Sequence, residues 1–490
     1  MKQTKSYERA PISEKKKELC FSALFCAIAL VAAVFSGCDE GKRGEQTEPR
    51  AEETFVEESV LEESETEPDY SHEVGESNGS VGLSYMRSGN RYYVDGIGSC
   101  QTASVVVPDR YNGLPVTAIA DGAFSGCESI DQIKLGENIT HIGDSAFASC
   151  KNLKWVYMPS RLKRLGNNAF VNCESLIEIT VPEGIEQLYK TFFKCTSLKK
   201  VTLPSTLVEI GESSFERCES LITINIPDSV TLIGEKAFLM CLGMESVVVP
   251  GSVGEIPYQC FESCTSLKSI TLGQGITVLR ERALAGCSSL REVVLPDSLI
   301  SIERYAMGGC GMEALTLPDS VVDIGGYAFS GCGNLKTVKL PARVNNKTAE
   351  RWFERCQSLE YAKIPEGVTT LDYTFADCRA LKDVALPSTL KYIWESAFWN
   401  CVSFASFTVP DGVEQLGYDS FGSCDNLVEV TLPQSVNYID DHIFNGSLEL
   451  KRINYEGSCE KWKQICPKPT QYTVYWPDCV VICSDGELKY

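Results

Sequence analysis

The sequence predicts a repeat solenoid, a coil of short parallel β-strands joined by tight turns, and three observations predict it. Cysteine recurs fourteen times from Cys127 to Cys424 at intervals of 22 to 24 residues, and Ser447 holds the next place in the series. The residue three positions earlier is phenylalanine in thirteen of these fifteen places, from Phe124 to Phe444, with Leu284 and Met307 as the exceptions. The 490 residues are 43% hydrophobic, too apolar for a wholly disordered chain and too long for one compact core, which stops growing near about 300 residues. A period of about 20 to 50 residues marks stacked units, none of which buries its apolar face alone.

Taken in order, the chain opens with Lys15, Lys16 and Lys17, an apolar run from Leu19 to Phe35, and then Phe35-Ser36-Gly37-Cys38. This resembles a bacterial lipoprotein signal, which implies lipidation of Cys38 and removal of residues 1–38. Phe35 departs from the leucine usual at that place. The alternative is an uncleaved anchor, since a span takes about 20 apolar residues. Either arrangement puts the rest of the chain outside the cytoplasm, because the lysine cluster favours staying inside.

Residues 39–80 turn acidic and nearly free of aromatics. They bury too little apolar surface to offset chain entropy, so a disordered tether is expected, about 35 Å end to end before charge repulsion extends it.

The unit after Cys195, "TSLKKVTLPSTLVEIGESSFERC", shows the logic of one coil. Leu198, Val201 and Leu203 alternate with Lys200 and Thr202, as in a strand with one buried face. Pro204 ends it, having no N–H for a continuing ladder. Leu207 and Ile210 mark a second short strand, Gly211 a turn, and "ESSFERC" a helical or 3₁₀ corner that drops Phe215 and Cys218 inward. Stacked coils put equivalent residues about 4.8 Å apart. The cysteine slot then takes a small, mostly apolar side chain able to make a weak hydrogen bond. Vertically stacked side chains point the same way, so free thiols are expected there.

This grammar resembles the BspA-like leucine-rich repeats of bacterial surface proteins over residues 121–456. The resemblance implies a right-handed coil of parallel strands, closed by an N-terminal cap at 81–120 and a C-terminal cap at 457–490. It also implies a surface protein, some members of the family being adhesins. Departures fall at Gly136 and Gly273, in the proline place, and at Pro341–Cys356, in the repeat whose interval from Cys332 to Cys356 is 24 residues, which loses the Ile-Gly step and predicts a kink or bulge.

Catalytic signals are sparse. The three histidines, His72, His141 and His442, have no second histidine or cysteine partner in sequence, and no nucleophile elbow, phosphate loop or HExxH stretch occurs. No catalytic residue, cofactor or metal is expected. In the closing cap, Cys459, Cys466, Cys479 and Cys483 are open to disulfide pairing, plain burial or zinc, although their spacing fits no familiar ribbon. The net charge of −21 argues against nucleic acid as a partner. Threonines on the outward face of the main strand suit a pleated surface better than an ice-binding array.

One cluster breaks the repeat grammar. Tyr361, Tyr373, Tyr392, Trp394 and Trp399, with Trp352 as a weaker member that plugs the irregular repeat, fall within 48 residues. Tyr and Trp are the residues most often found as interface hot spots, which makes them the candidate binding patch. The expected function is a cell-surface, non-enzymatic module binding a protein or glycan, such as host matrix or another cell. A spacer without a soluble ligand is the alternative, and a cryptic hydrolase a third.

Overall fold

The computed structural model describes residues 79–466 and 478–489. Cys38, the export segment and nearly all of the acidic tether lie outside the described residues. The repeats wind into a parallel β-solenoid of about 16 turns. Among the described residues, helical structure is confined to one 3₁₀ turn at Gly251–Val253 and a seven-residue helix, α1, at Cys459–Ile465.

Each coil carries two strands, as the alternation predicts. Lys200–Thr202 buries Val201 and exposes its flanking residues. It pairs in parallel with Glu178–Thr180 of the preceding coil and with Thr223 and Ile224 of the next. First strands form sheets of nine (from Ser104–Val106 to Glu292–Val294), four (from Ala314–Thr316 to Asp383–Ala385) and five strands (from Ser406–Thr408 to Gly486–Lys489). The second strands are mostly two residues long, as at Glu209–Ile210, and stack separately.

The corner is not the helical or 3₁₀ turn expected. Ser213 and Arg217 adopt left-handed backbone, with φ of 53° and 60°. The N–H groups of Ser213, Phe215 and Arg217 donate to the carbonyls of Glu235, Ala237 and Leu239 in the next coil at 3.0, 2.8 and 2.8 Å. Between them, Ser214, Glu216 and Cys218 donate three residues back, to Gly211, Ser213 and Phe215. A helix would aim every amide along its own segment. The left-handed residues turn alternate amides toward the neighbouring coil, giving a third ladder of backbone bonds.

Inside, the phenylalanines stack face to face, from Phe124–Phe147 at 5.2 Å between ring centres to Phe238–Phe261 at 5.1 Å. Leu284 and Met307 interrupt the column, which resumes at Phe329–Phe353, 5.6 Å. The cysteines line a parallel column. Cys218 Sγ donates to the Phe192 carbonyl at 3.2 Å, and Cys241 to Phe215 at 3.2 Å. The bond recurs in every coil from Cys150 to Cys424, and Ser447 Oγ makes it to Phe421 at 2.7 Å. Burial drives the Cys218 thiol well above its ordinary range. All described cysteines are free thiols.

The irregular repeat interrupts the second-strand stacking between Asp323–Ile324 and Thr348–Glu350. There the Ile324 N–H donates to the side chain of Asn346 at 2.7 Å instead of to a strand. Trp352 fills the place that is small in other coils, such as Ala328, and is completely buried.

At the amino end, β1 (Ser84–Ser88) and β2 (Arg91–Gly96) form an antiparallel hairpin. The hairpin meets the first coil through the parallel pairing of β2 with Leu114–Ile119. At the other end, α1 buries Trp462 against Tyr455, 5.3 Å between rings. Ser458 caps the helix by accepting the Lys461 N–H. The strand Val480–Cys483 continues the last sheet in parallel, and Gly486–Lys489 closes it antiparallel.

Candidate functional site

The side chain five places before each cysteine belongs to the first left-handed residue of the corner, at the rim between the second strands and the third ladder. At Arg282, Tyr305, Tyr327, Arg351 and Tyr373 this place becomes a column of stacked planes. Tyr305 and Tyr327 lie 4.3 Å apart ring to ring. The Arg282 guanidinium sits 5.2 Å from the Tyr305 ring, and Arg351 lies 5.2 Å from Tyr327 and 3.7 Å from Tyr373. Arg304, one place earlier in its coil, covers Tyr327 at 4.5 Å. Each such cation–π contact contributes about 0.5–1 kcal/mol where partly exposed.

Carboxylates hold the cations in register. Glu262 pairs with Arg282 at 3.2 Å, Glu350 with Arg304 at 3.6 Å and Glu354 with Arg351 at 3.1 Å. The Tyr373 hydroxyl donates to Glu395 at 3.0 Å. Burial, and then that carboxylate, raises the Tyr373 phenol above its ordinary value, so it remains a neutral donor. One coil further, Tyr392 and Trp394 meet edge to face at 6.4 Å. Trp394 occupies the place that is Gly417 in the following coil and is 40% exposed. Tyr392 and Tyr438 flank Gln415 in register on the second strands, and Tyr418 packs on His442 at 5.1 Å.

The structure therefore divides the sequence-predicted patch. Tyr373, Tyr392 and Trp394 lie along this rim. Tyr361 stands on a first strand, between Thr337 and Asp383, and Trp399 projects from the third ladder beside Asn400. Trp352 is core. The sequence reading passed over four aromatics that share or continue this rim, Tyr305, Tyr327, Tyr418 and Tyr438. Aligning the fifth and sixth places before each cysteine would have exposed the first three, but those places look like ordinary turn positions until their backbone is known to point outward.

Two groupings of metal-capable side chains occur among the described residues: Asp440, Asp441 and His442, and Cys459, Cys483 and Asp485. In the first, the donors are already engaged with one another. His442 Nδ1 contacts Asp441 at 2.7 Å, while Asp440 accepts from the His442 backbone N–H at 3.0 Å and from the Tyr438 hydroxyl at 3.3 Å. His141 Nδ1 contacts its neighbour Thr140 at 2.8 Å.

No curated protein matches the sequence. Among solved structures, a leucine-rich repeat protein from Bacteroides ovatus is 26% identical with a TM-score of 0.65, covering 84% of this chain and all of its own. A leucine-rich cell surface protein from Faecalibacterium prausnitzii is 21% identical over 81% of this chain and 99% of its own, with a TM-score of 0.36. A leucine-rich repeat protein from Eubacterium ventriosum is 19% identical over 70% of this chain and 93% of its own, with a TM-score of 0.39. The family model for the BspA type leucine rich repeat region matches residues 99–218, 186–310, 254–374 and 346–468. Those segments overlap without a gap and take in every coil that carries the phenylalanine and cysteine columns, so the chain belongs to the BspA-type leucine-rich repeat proteins.

Proposed function

We propose that this protein is a non-enzymatic binding module of the cell surface, held to the membrane by a lipid on Cys38, that grips a protein partner along the rim from Tyr305 to Trp394. The observation that carries the reading is the stacked Arg–Tyr column continued by the Tyr392–Trp394 pair. Large aromatic faces held rigid by their neighbours lose little entropy on binding, and Tyr, Trp and Arg are the residue types that dominate interfaces. Tyr361 and Trp399 stand on other faces and contribute only to a partner that wraps around the coil.

The spacer reading also has support: every arginine of the column already has a carboxylate, so the rim is satisfied without a ligand. Binding of candidate matrix proteins and glycans to the full chain and to its Tyr392→Ala, Trp394→Ala double variant decides between them. Loss of more than about 2 kcal/mol of affinity at unchanged melting temperature supports the rim. Equal binding by both moves the site elsewhere, and the absence of any captured protein favours the spacer.

A further inference from the structure

The cysteine column and the closing cap hold thiols in opposite ways. From Cys150 to Cys424 each Sγ of the column is aimed at a carbonyl of the preceding coil, and these point in one sense, while Cys127 at the start of the column is partly exposed and contacts Ser129 Oγ at 3.2 Å. In the cap, Cys459 opens α1 and Cys483 ends the strand Val480–Cys483, and their sulfurs lie within 4.8 Å of one another and of the Asp485 carboxylate. Two backbone bonds fix this approach: the Cys459 N–H donates to Asp485 Oδ1 at 2.7 Å, and the Ser484 N–H to the Gly457 carbonyl at 3.0 Å. Cys459 is partly exposed and Cys483 is buried.

We propose that Cys459 and Cys483 form a disulfide clasp that locks the last hairpin to α1, while the coil cysteines remain thiols. The unequal exposure sets the order of steps. Cys459 is open to a low-molecular-weight disulfide such as oxidised glutathione, whereas burial, and then the hydrogen bond with Cys459, pushes the Cys483 thiol up to about 12. The Cys459 thiolate attacks one glutathione sulfur and expels the first glutathione thiolate, leaving a mixed disulfide. Cys483 then gives its proton to solvent, attacks the Cys459 sulfur and expels the second. The protein loses two protons and two electrons, and one glutathione disulfide becomes two thiols.

The clasp protects a vulnerable place. Gly486–Lys489 is the outermost strand of the terminal sheet and is paired on one side only, so the end of the stack frays first unless it is tied down.

The test incubates the full chain in oxidised glutathione, alkylates the remaining thiols and maps the unreduced digest by mass spectrometry. The expected result is a peptide joining Cys459 to Cys483, with the buried coil cysteines from Cys150 to Cys424 unmodified until the protein is unfolded. Hydrogen exchange over 480–489 should slow at least tenfold on oxidation in the parent and remain unchanged in Cys459→Ser and Cys483→Ser. Both cysteines alkylated after oxidation, either one joined to a different cysteine, or stoichiometric zinc binding lost in Cys459→Ser would overturn the proposal.

Discussion

At Cys218 the slot needs three properties at once: small volume, an apolar body and one donor for the Phe192 carbonyl. Ser447 shows that a hydroxyl meets the donor requirement, at 2.7 Å. Cys218→Ser should therefore cost about 1 kcal/mol or less, while Cys218→Val, which adds bulk and removes the donor, should cost about 1–3 kcal/mol. Urea unfolding monitored by tyrosine fluorescence measures the difference, and a valine variant as stable as serine would refute the donor's role. The same reasoning applies to the place one residue before the phenylalanine, alanine in most coils, where the hydroxyls of Thr191 and Ser214 have backbone partners.

The corner is the element whose character the sequence concealed. Its residue types, such as Ser213, Lys236 and Gln259, are unremarkable turn or helix formers, and a period of three to four could signify either structure. What decides is the neighbouring coil, which offers carbonyls at 2.8–3.0 Å to alternate amides and repays the left-handed backbone, about 1–2 kcal/mol per residue. Among the described residues, no β-branched residue occupies a left-handed place, as steric reasoning requires. Ser213→Gly should be nearly neutral, and Ser213→Val should lower stability by at least about 2 kcal/mol, seen as faster hydrogen exchange at Phe215 and Arg217. By contrast, the presence of two strands per coil and both buried columns were legible, because the alternation around Val201 and the fixed interval to cysteine do not depend on context, although the first strand covers only Lys200–Thr202 and leaves Leu198 in the preceding turn. The proposed rim was legible only in part: Tyr392 and Trp394 stood out as departures from the repeat, whereas Tyr305 and Tyr327 sit at places whose outward direction only the backbone reveals.

For the whole molecule, the thiol column couples stability to alkali. Burial raises the thiols of Cys150, Cys287, Cys332 and Cys424 to about 12, against about 8.5 in an unfolded chain. A raised acid binds its proton more tightly when folded, so the associated stability is complete below the unfolded value and is lost as pH climbs from about 8.5 toward 12. Each thiol contributes about 1.4 kcal/mol per pH unit within that window, and the effect multiplies along the array. The melting temperature should be flat from pH 6 to 8 and fall steeply above 9, with a shallower fall when Cys218 and Cys241 are both serine. A scan showing the same slope for parent and double variant would refute the coupling.

The third ladder has a mechanical consequence. Its bonds, like those of both strand stacks, run from coil to coil, so tension applied along the stack opens them a few at a time, as a zipper opens, and does not shear a whole sheet at once. A pull entering at the amino-terminal cap and leaving through a partner on the rim loads the coils between Phe124 and Tyr305 and spares those beyond Trp394. Each coil that peels away releases about 75 Å of slack chain at roughly 3.3 Å per residue, and its neighbours keep their own Phe and Cys contacts. The array is therefore expected to lengthen in discrete steps under load, yielding one turn at a time, so that a partner held at the proposed rim would stay in place.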